Sequence, residues 1–187
     1  TGVFPLDVQK TPIDFLAADG HKWMLGPEGA GIFYMRSEHL DLLRPVGVGW
    51  NSVQAPMEFS KIDLTIRRAA SRYEGGSANM AGFIGLGASL GLLNEYGQEA
   101  MAARIIEITG YACERLASIG AEITSPRIPG HESGIVLFTF PGKDLLALRK
   151  QCIERDVVVS FRSGNLRISA HAYNTHEDVD RLIEALS

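Results

Sequence analysis

The stretch FLAADGHKWMLGPEGAGIFYMR, Phe15 to Arg36, sets one lysine, Lys22, between an apolar run and a glycine-rich turn. Ile13–Ala18 and Gly31–Met35 are short apolar runs bounded by glycine and proline, the pattern of buried strands bracketing a loop. An amine at such a junction is costly unless it is paired, neutralised or covalently bonded. Desolvation favours a neutral amine, and a neutral amine attacks carbonyl compounds, so a Schiff-base lysine is one reading. A surface lysine whose stem runs past Trp23 is the other, and local spacing leaves both open. His21 can donate to a phosphate, and Gly26, Gly29 and Gly31 would let backbone N–H groups approach one.

Outward from this stretch, Ser37 opens a short helix with Glu38 and Asp41 in its first turn. Residues 47–65 hold glycines and prolines without periodicity, an irregular segment of the kind that serves function or an interface. Asn79 precedes a helix that runs to about Tyr96 and is stopped by Gly97. Gln98–Ser118 carries Met101, Ile105, Ile108, Ala112 and Leu116 at helical spacing and stops before Gly120. Strands are expected at Ala121–Thr124, Gly134–Phe140, Val157–Phe161 and Leu166–Ser169, with a helix over Lys143–Arg155. Thr175 and Asp178 form a capping box for a last helix whose Leu182, Ile183 and Leu186 face inward. The second half therefore reads as an α+β unit, helices on one face of a mainly antiparallel sheet.

The 187 residues are 45% hydrophobic and 21% charged, the composition of an ordinary globular protein. A net charge of -4 excludes the concentrated basic face that nucleic acid requires, and "IRR" at Ile66–Arg68 reads as solvated surface. Cys113 and Cys152 lie in helical segments without disulfide or zinc spacing and read as buried, reduced thiols of a cytoplasmic protein. No basic and apolar leader opens the chain. The apolar run Met80–Leu93 is shorter than the ~20 residues a bilayer needs, so no membrane partner is expected. Thr1 in place of Met suggests a piece of something longer.

Other motifs fail on context. "GPEGAG" lacks the Lys-Ser/Thr of a P-loop, and "GLGASLG" at Gly85–Gly91 lies inside a helix instead of at a strand-to-helix turn. His39, His131 and His176 have no partner at metal-ligand spacing, so no metal is expected.

Three ordered segments carry a resemblance. "DGHKWMLGPEGAGIFY" is similar to the cofactor-lysine segment of the class V aminotransferase family, which binds pyridoxal 5'-phosphate (PLP) on a fold type I scaffold. "RYEGGSAN", Arg72–Asn79, resembles that family's Arg-aromatic-Glu-x-Gly-Thr motif. "LRISAHAYNTHEDVDRLIEAL", Leu166–Leu186, resembles its C-terminal signature. The branch it looks most like contains isopenicillin N epimerase-like and cysteine desulfurase-like proteins.

The resemblance implies an α/β fold: the C-terminal part of a fold type I enzyme, with a remnant of the large-domain sheet and a small α+β domain. Residues 1–78 would belong to the PLP-binding large domain, and 79–187 to a linking helix and the small domain. Lys22 would be the Schiff-base lysine, and His21 would contact the PLP phosphate. Ser77, standing where the family has Thr, would reach the phosphate of a neighbouring subunit in a homodimer. Arg167 would clamp the α-carboxylate of an amino-acid substrate; read without the family it is a strand-edge charge. Trp50 lines an active-site entrance or serves packing. Asp19 stands where the family often has Ser, and reads as a structural hydrogen-bond partner, since a carboxylate would repel a phosphate. Neither cysteine lies in "SFRSGNLR", Ser160–Arg167, where desulfurases bear theirs, which disfavours persulfide chemistry. The family's ring-stacking aromatic and its pyridine-pairing Asp belong to a stretch before Thr1. The expected activity is epimerase-like or aminotransferase-like. The alternatives are desulfurase- or selenocysteine lyase-like β-elimination, or an incomplete chain serving only folding or association.

Overall fold

In the computed structural model, which describes all residues Thr1–Ser187, the chain divides into two compact units, Thr1–Gln98 and Glu99–Ser187. The first unit is built on two antiparallel strands, β1 (Phe15–Asp19) and β2 (Gly31–Met35), paired from Phe15 opposite Met35 to Asp19 opposite Gly31. Glycine at position 31 fits this pairing, because a Cβ there would lie 2.6 Å from the Ala18 carbonyl oxygen. Ser37–His39 forms a single 3₁₀ turn and not the helix expected, with His39 paired to Asp14 at 2.8 Å and its ring against Phe15.

Helix α1 (Met80–Tyr96) closes the first unit. Asn79 caps it by accepting from the Gly82 N–H, and Gly97 ends it at φ 86°, a left-handed conformation open to glycine. Its residues are apolar around the whole circumference, yet only Gly82, Leu86 and Leu93 are buried. Helices of that composition normally lie inside a protein. Here Met80, Phe83, Ile84, Leu92 and Tyr96 face solvent, as do Val48, Met57, Phe59, Ile62 and Leu64 on the irregular segment. The strands expected to be buried alternate between half-buried and exposed side chains along β1. A sheet of two strands has no further layers to cover both faces, which is why the sequence pattern overestimates burial here.

The second unit has a conventional core. Sheet order is β3-β4-β6-β5, all antiparallel, with β3 Glu122–Ile123, β4 Ile135–Thr139, β5 Ser160–Arg162 and β6 Asn165–Ser169. Helices α2 (Gln98–Ser118), α3 (Leu145–Glu154) and α4 (His176–Leu186) cover one face. Leu116, Phe138, Leu148, Cys152, Leu166, Leu182 and Leu186 form the main cluster. The five apolar residues of α2 named from their spacing are all buried. Residues 157–159 precede the strand and are not part of it, since β5 pairs with β6 only from Ser160 to Arg162. Cys152 is buried, whereas Cys113 is only partly so. Arg67 corrects the reading of a solvated "IRR": it is half-buried and donates to the Val53 carbonyl and to Ser71. No helix is long and apolar enough to cross a membrane.

The capping box closes as its spacing requires: Thr175 Oγ1 accepts from Asp178 N–H, and Asp178 Oδ2 accepts from Thr175 N–H. Phe138→Ala is expected to destabilise the second unit by about 3–5 kcal/mol, and Thr175→Ala by about 1 kcal/mol, in urea unfolding followed by circular dichroism. The Thr175 N–H, and then Asn174, hold the Asp178 carboxyl below its ordinary value. A depressed folded-state value means the cap contributes fully above the ordinary carboxylate range and is lost as pH falls through the lowered one. Asp178→Asn should therefore flatten the acid limb of the stability profile.

Candidate functional site

The loop between β1 and β2 is closed at its neck. Gly20 N–H donates to the Ala30 carbonyl at 2.8 Å, Gly26 N–H to the Gly20 carbonyl at 2.8 Å, and Leu25 N–H to the Lys22 carbonyl at 3.0 Å. Glycine is demanded at the neck because a Cβ on Gly20 would fall 2.6 Å from the Ala30 carbonyl oxygen. Leu25 holds a positive φ of 55°, a conformation uncommon for a non-glycine residue. Beneath the loop, Met24 is buried with Ala30 and Leu86, so α1 serves as its floor. Trp23 packs against Phe4, ring centroids 5.7 Å apart.

Lys22 stands on this rigid loop with its side chain 67% exposed. Of the two readings that local spacing left open, the structure shows the exposed amine and not the desolvated one. The closed neck lifts residues 21 and 22 out of the apolar layer, and Met24 alone turns down into it. Lys22 instead donates to Asp19, three residues before it, in a close ion pair. That contact, first by hydrogen bond and then by charge, holds the Asp19 carboxyl below its ordinary value. His21 is exposed beside them.

Ser77 lies in the same unit, between a 3₁₀ turn (Ala70–Tyr73) and α1. Arg72 and Tyr73 anchor its segment, donating to the carbonyls of Leu40 (2.6 Å) and Leu43 (2.8 Å). Asn79 joins the segment to the lysine loop: while Oδ1 caps α1, Nδ2 donates to the Gly29 carbonyl at 3.2 Å. Upstream, Gly49–Ser52 clasps Glu74–Gly76. Asn51 N–H donates to the Gly75 carbonyl at 3.3 Å, Ser52 Oγ donates to the Glu74 carbonyl at 3.4 Å, and Ser52 is fully buried. The approach is so close that a Cβ on Gly49 would sit 1.7 Å from the Gly75 carbonyl oxygen, and one on Gly76 2.8 Å from Trp50 Nε1. Trp50 therefore packs over the residue before Ser77. No local pattern signals this clasp or the Asn79 bridge to Gly29, because both join residues far apart in the chain.

Arg167 belongs to the second unit, at the centre of its sheet, opposite Leu137 on β4 and Ser160 on β5. Leu166 and Ile168 turn toward the core, so the pleat sends Arg167 to the other face. Its Nε is buried and has no hydrogen-bond partner. Arg72 Nε, in the first unit, is in the same state. Two cavities, about 240 and 230 Å³, lie elsewhere, one between α2 and α4 and one in residues 48–64. None of Lys22, His21, Ser77 and Arg167 lines either. No cluster of His, Cys, Asp and Glu is arranged to hold a metal.

The profile of the family described as Aminotransferase class-V matches residues 1–182. The chain belongs to the class V aminotransferase family. It is 33% identical to isopenicillin N epimerase of Streptomyces clavuligerus over 99% of its own length and 49% of that protein. It is 30% identical to a probable cysteine desulfurase of Halalkalibacterium halodurans over 97% of its length and 46% of that protein. The cysteine desulfurase structure from Thermococcus onnurineus NA1 superposes with a TM-score of 0.88 at 24% identity, covering 99% of this chain and 49% of that one. The chain spans about half the length of the relatives it matches. Class V aminotransferases are PLP enzymes, and the α/β architecture here is that of the C-terminal part of their fold type I scaffold.

The clasp makes a sharp test. Gly49→Ala should dislodge Trp50 from the Gly75–Gly76 backbone and shift its emission in a Trp23→Phe background. Gly47→Ala, where a Cβ would meet nothing within 4 Å, should leave the emission unchanged.

Proposed function

We propose that this chain supplies the cofactor lysine and the carboxylate-binding arginine of a PLP-dependent enzyme that acts on an amino acid, in an epimerase-like or aminotransferase-like manner. The observation that carries the reading is Lys22 itself, a solvent-facing amine on a loop fixed by its own backbone bonds and floored by α1. The residues present fit the cofactor: an accessible amine, a flanking His21, the Ser77 hydroxyl on a braced loop, and an Arg167 N–H still lacking an acceptor. Bound PLP would supply an electron sink for the substrate's Cα carbanion. Lys22 Nζ would hold the cofactor and move the Cα proton. His21 and Ser77 would hold the phosphate, Ser77 reaching that of a second subunit in a homodimer. Arg167 would orient the substrate carboxylate, a two-pronged contact that suits guanidinium. In this reading residues 1–78 belong to the PLP-binding domain and 79–187 to a linking helix and small domain, in a cytoplasmic protein.

Desulfurase-like or lyase-like β-elimination is the second reading, supported by the likeness to a probable cysteine desulfurase. The thiols argue against it: burial pushes both Cys113 and Cys152 up, away from the thiolate that persulfide chemistry uses. A role in folding or association alone is supported by the apolar side chains exposed on the first unit.

Titrating the chain with PLP and recording its absorption separates these. A violet band that is absent in Lys22→Ala supports the enzyme reading, and no band at any PLP concentration favours association. In the enzyme assembled with the rest of its scaffold, Arg167→Ala should keep the band while weakening amino-acid binding about tenfold or more. Arg167→Lys should not restore it; unchanged affinity would remove Arg167 from the site.

A further inference from the structure

Asp19 is the last residue of β1, and its backbone is fixed opposite Gly31. Gly20, next in the chain, carries both bonds that close the loop neck. The carboxylate and the Lys22 amine therefore leave one rigid turn three residues apart, and their contact does not depend on two long side chains meeting by chance. We propose that Asp19 is a tether for the cofactor lysine: its carboxylate holds the Lys22 ammonium and so sets how fast Nζ becomes available to an aldehyde. This assignment rests on the reading of Lys22 as the cofactor lysine.

The other lysines show that the arrangement is particular to this loop. Lys10, Lys61 and Lys150 face carboxylates at 3.5, 3.8 and 3.7 Å, and Lys143 lies over the Phe140 ring without a carboxylate. Only the Lys22 pair is in hydrogen-bond contact. Lys22, and weakly His21, are the charged groups that bear on the Asp19 carboxylate. An ammonium has no lone pair to offer. For Lys22 to condense with an aldehyde, a proton must leave Nζ for solvent, the N–C bond forms, the carbonyl C–O bond breaks, and one water departs. The hydrogen bond from Nζ to Asp19 must break before Nζ can turn to the aldehyde. Both groups are solvent-exposed, so the effect is that of a surface ion pair, screened by salt.

The test is reductive methylation of the chain with formaldehyde and cyanoborohydride, read by mass spectrometry at Lys22 with Lys143 as internal reference. At pH 7 and low salt, Asp19→Asn should speed modification of Lys22 about two- to fivefold and leave Lys143 unchanged. The gain should shrink at about 1 M salt. Asp19→Ser should behave like Asp19→Asn, and Asp19→Glu should retain part of the restraint. An unchanged Lys22 rate in both Asn and Ser variants overturns the tether, and so does a gain that salt does not diminish. Formaldehyde needs no cofactor site, so the two readings fail separately. Acceleration without any PLP attachment would leave the tether and remove the cofactor assignment. PLP attachment to Lys22 with no Asp19 effect would do the reverse.

Discussion

Closure of the loop neck at Gly20 is the constraint on which the first unit depends. Two backbone bonds, to Ala30 and from Gly26, turn an otherwise open connection between β1 and β2 into a small rigid platform. Hydrogen bonds of this kind contribute modestly to stability, but they fix direction. Direction is what the platform supplies: Met24 is driven down onto Leu86, and Lys22 is left on the outer side facing Asp19. The close contacts at Gly20, Gly26 and Gly31 follow from this closure, since a side chain at any of them would strike backbone or Leu86.

The two units solve their packing problems differently. The second buries Phe138, Leu166 and Leu186 under three helices and has the contiguous core expected of a small α+β domain. The first holds its shape mainly through local bonds: the loop neck, the Gly49–Gly75 clasp, Arg72 and Tyr73 on the carbonyls of Leu40 and Leu43, and the Asn79 bridge. Its core of Met24, Ala30 and Leu86 is small, and α1 shows apolar surface on several sides. The relatives the chain matches are about twice its length.

Much was legible in sequence, for reasons particular to each element. The Thr175–Asp178 cap and the inward stripe of α2 are local patterns whose chemistry lies within one helical turn or a few, and both closed as their spacing required. Burial of the strands was misread because an apolar run shows that a strand is suited to an interior, not that an interior is present. Arg167 looked like a strand-edge charge when read alone. Its place in the middle of the sheet comes from pairing with β4 on one side and β5 on the other, which no local pattern contains.

The sequence by itself determined the family, the order of its three motifs, the boundaries of α1, α2 and α4 and the residues worth testing, since each of these is written in neighbouring side chains. Only the tertiary structure decided the state of Lys22. Whether that amine is buried and neutral or exposed and ion-paired depends on where a closed loop points and on what α1 places beneath it. Those are distances between segments as far apart as Gly20 and Leu86, and three-dimensional closure sets them where local chemistry does not.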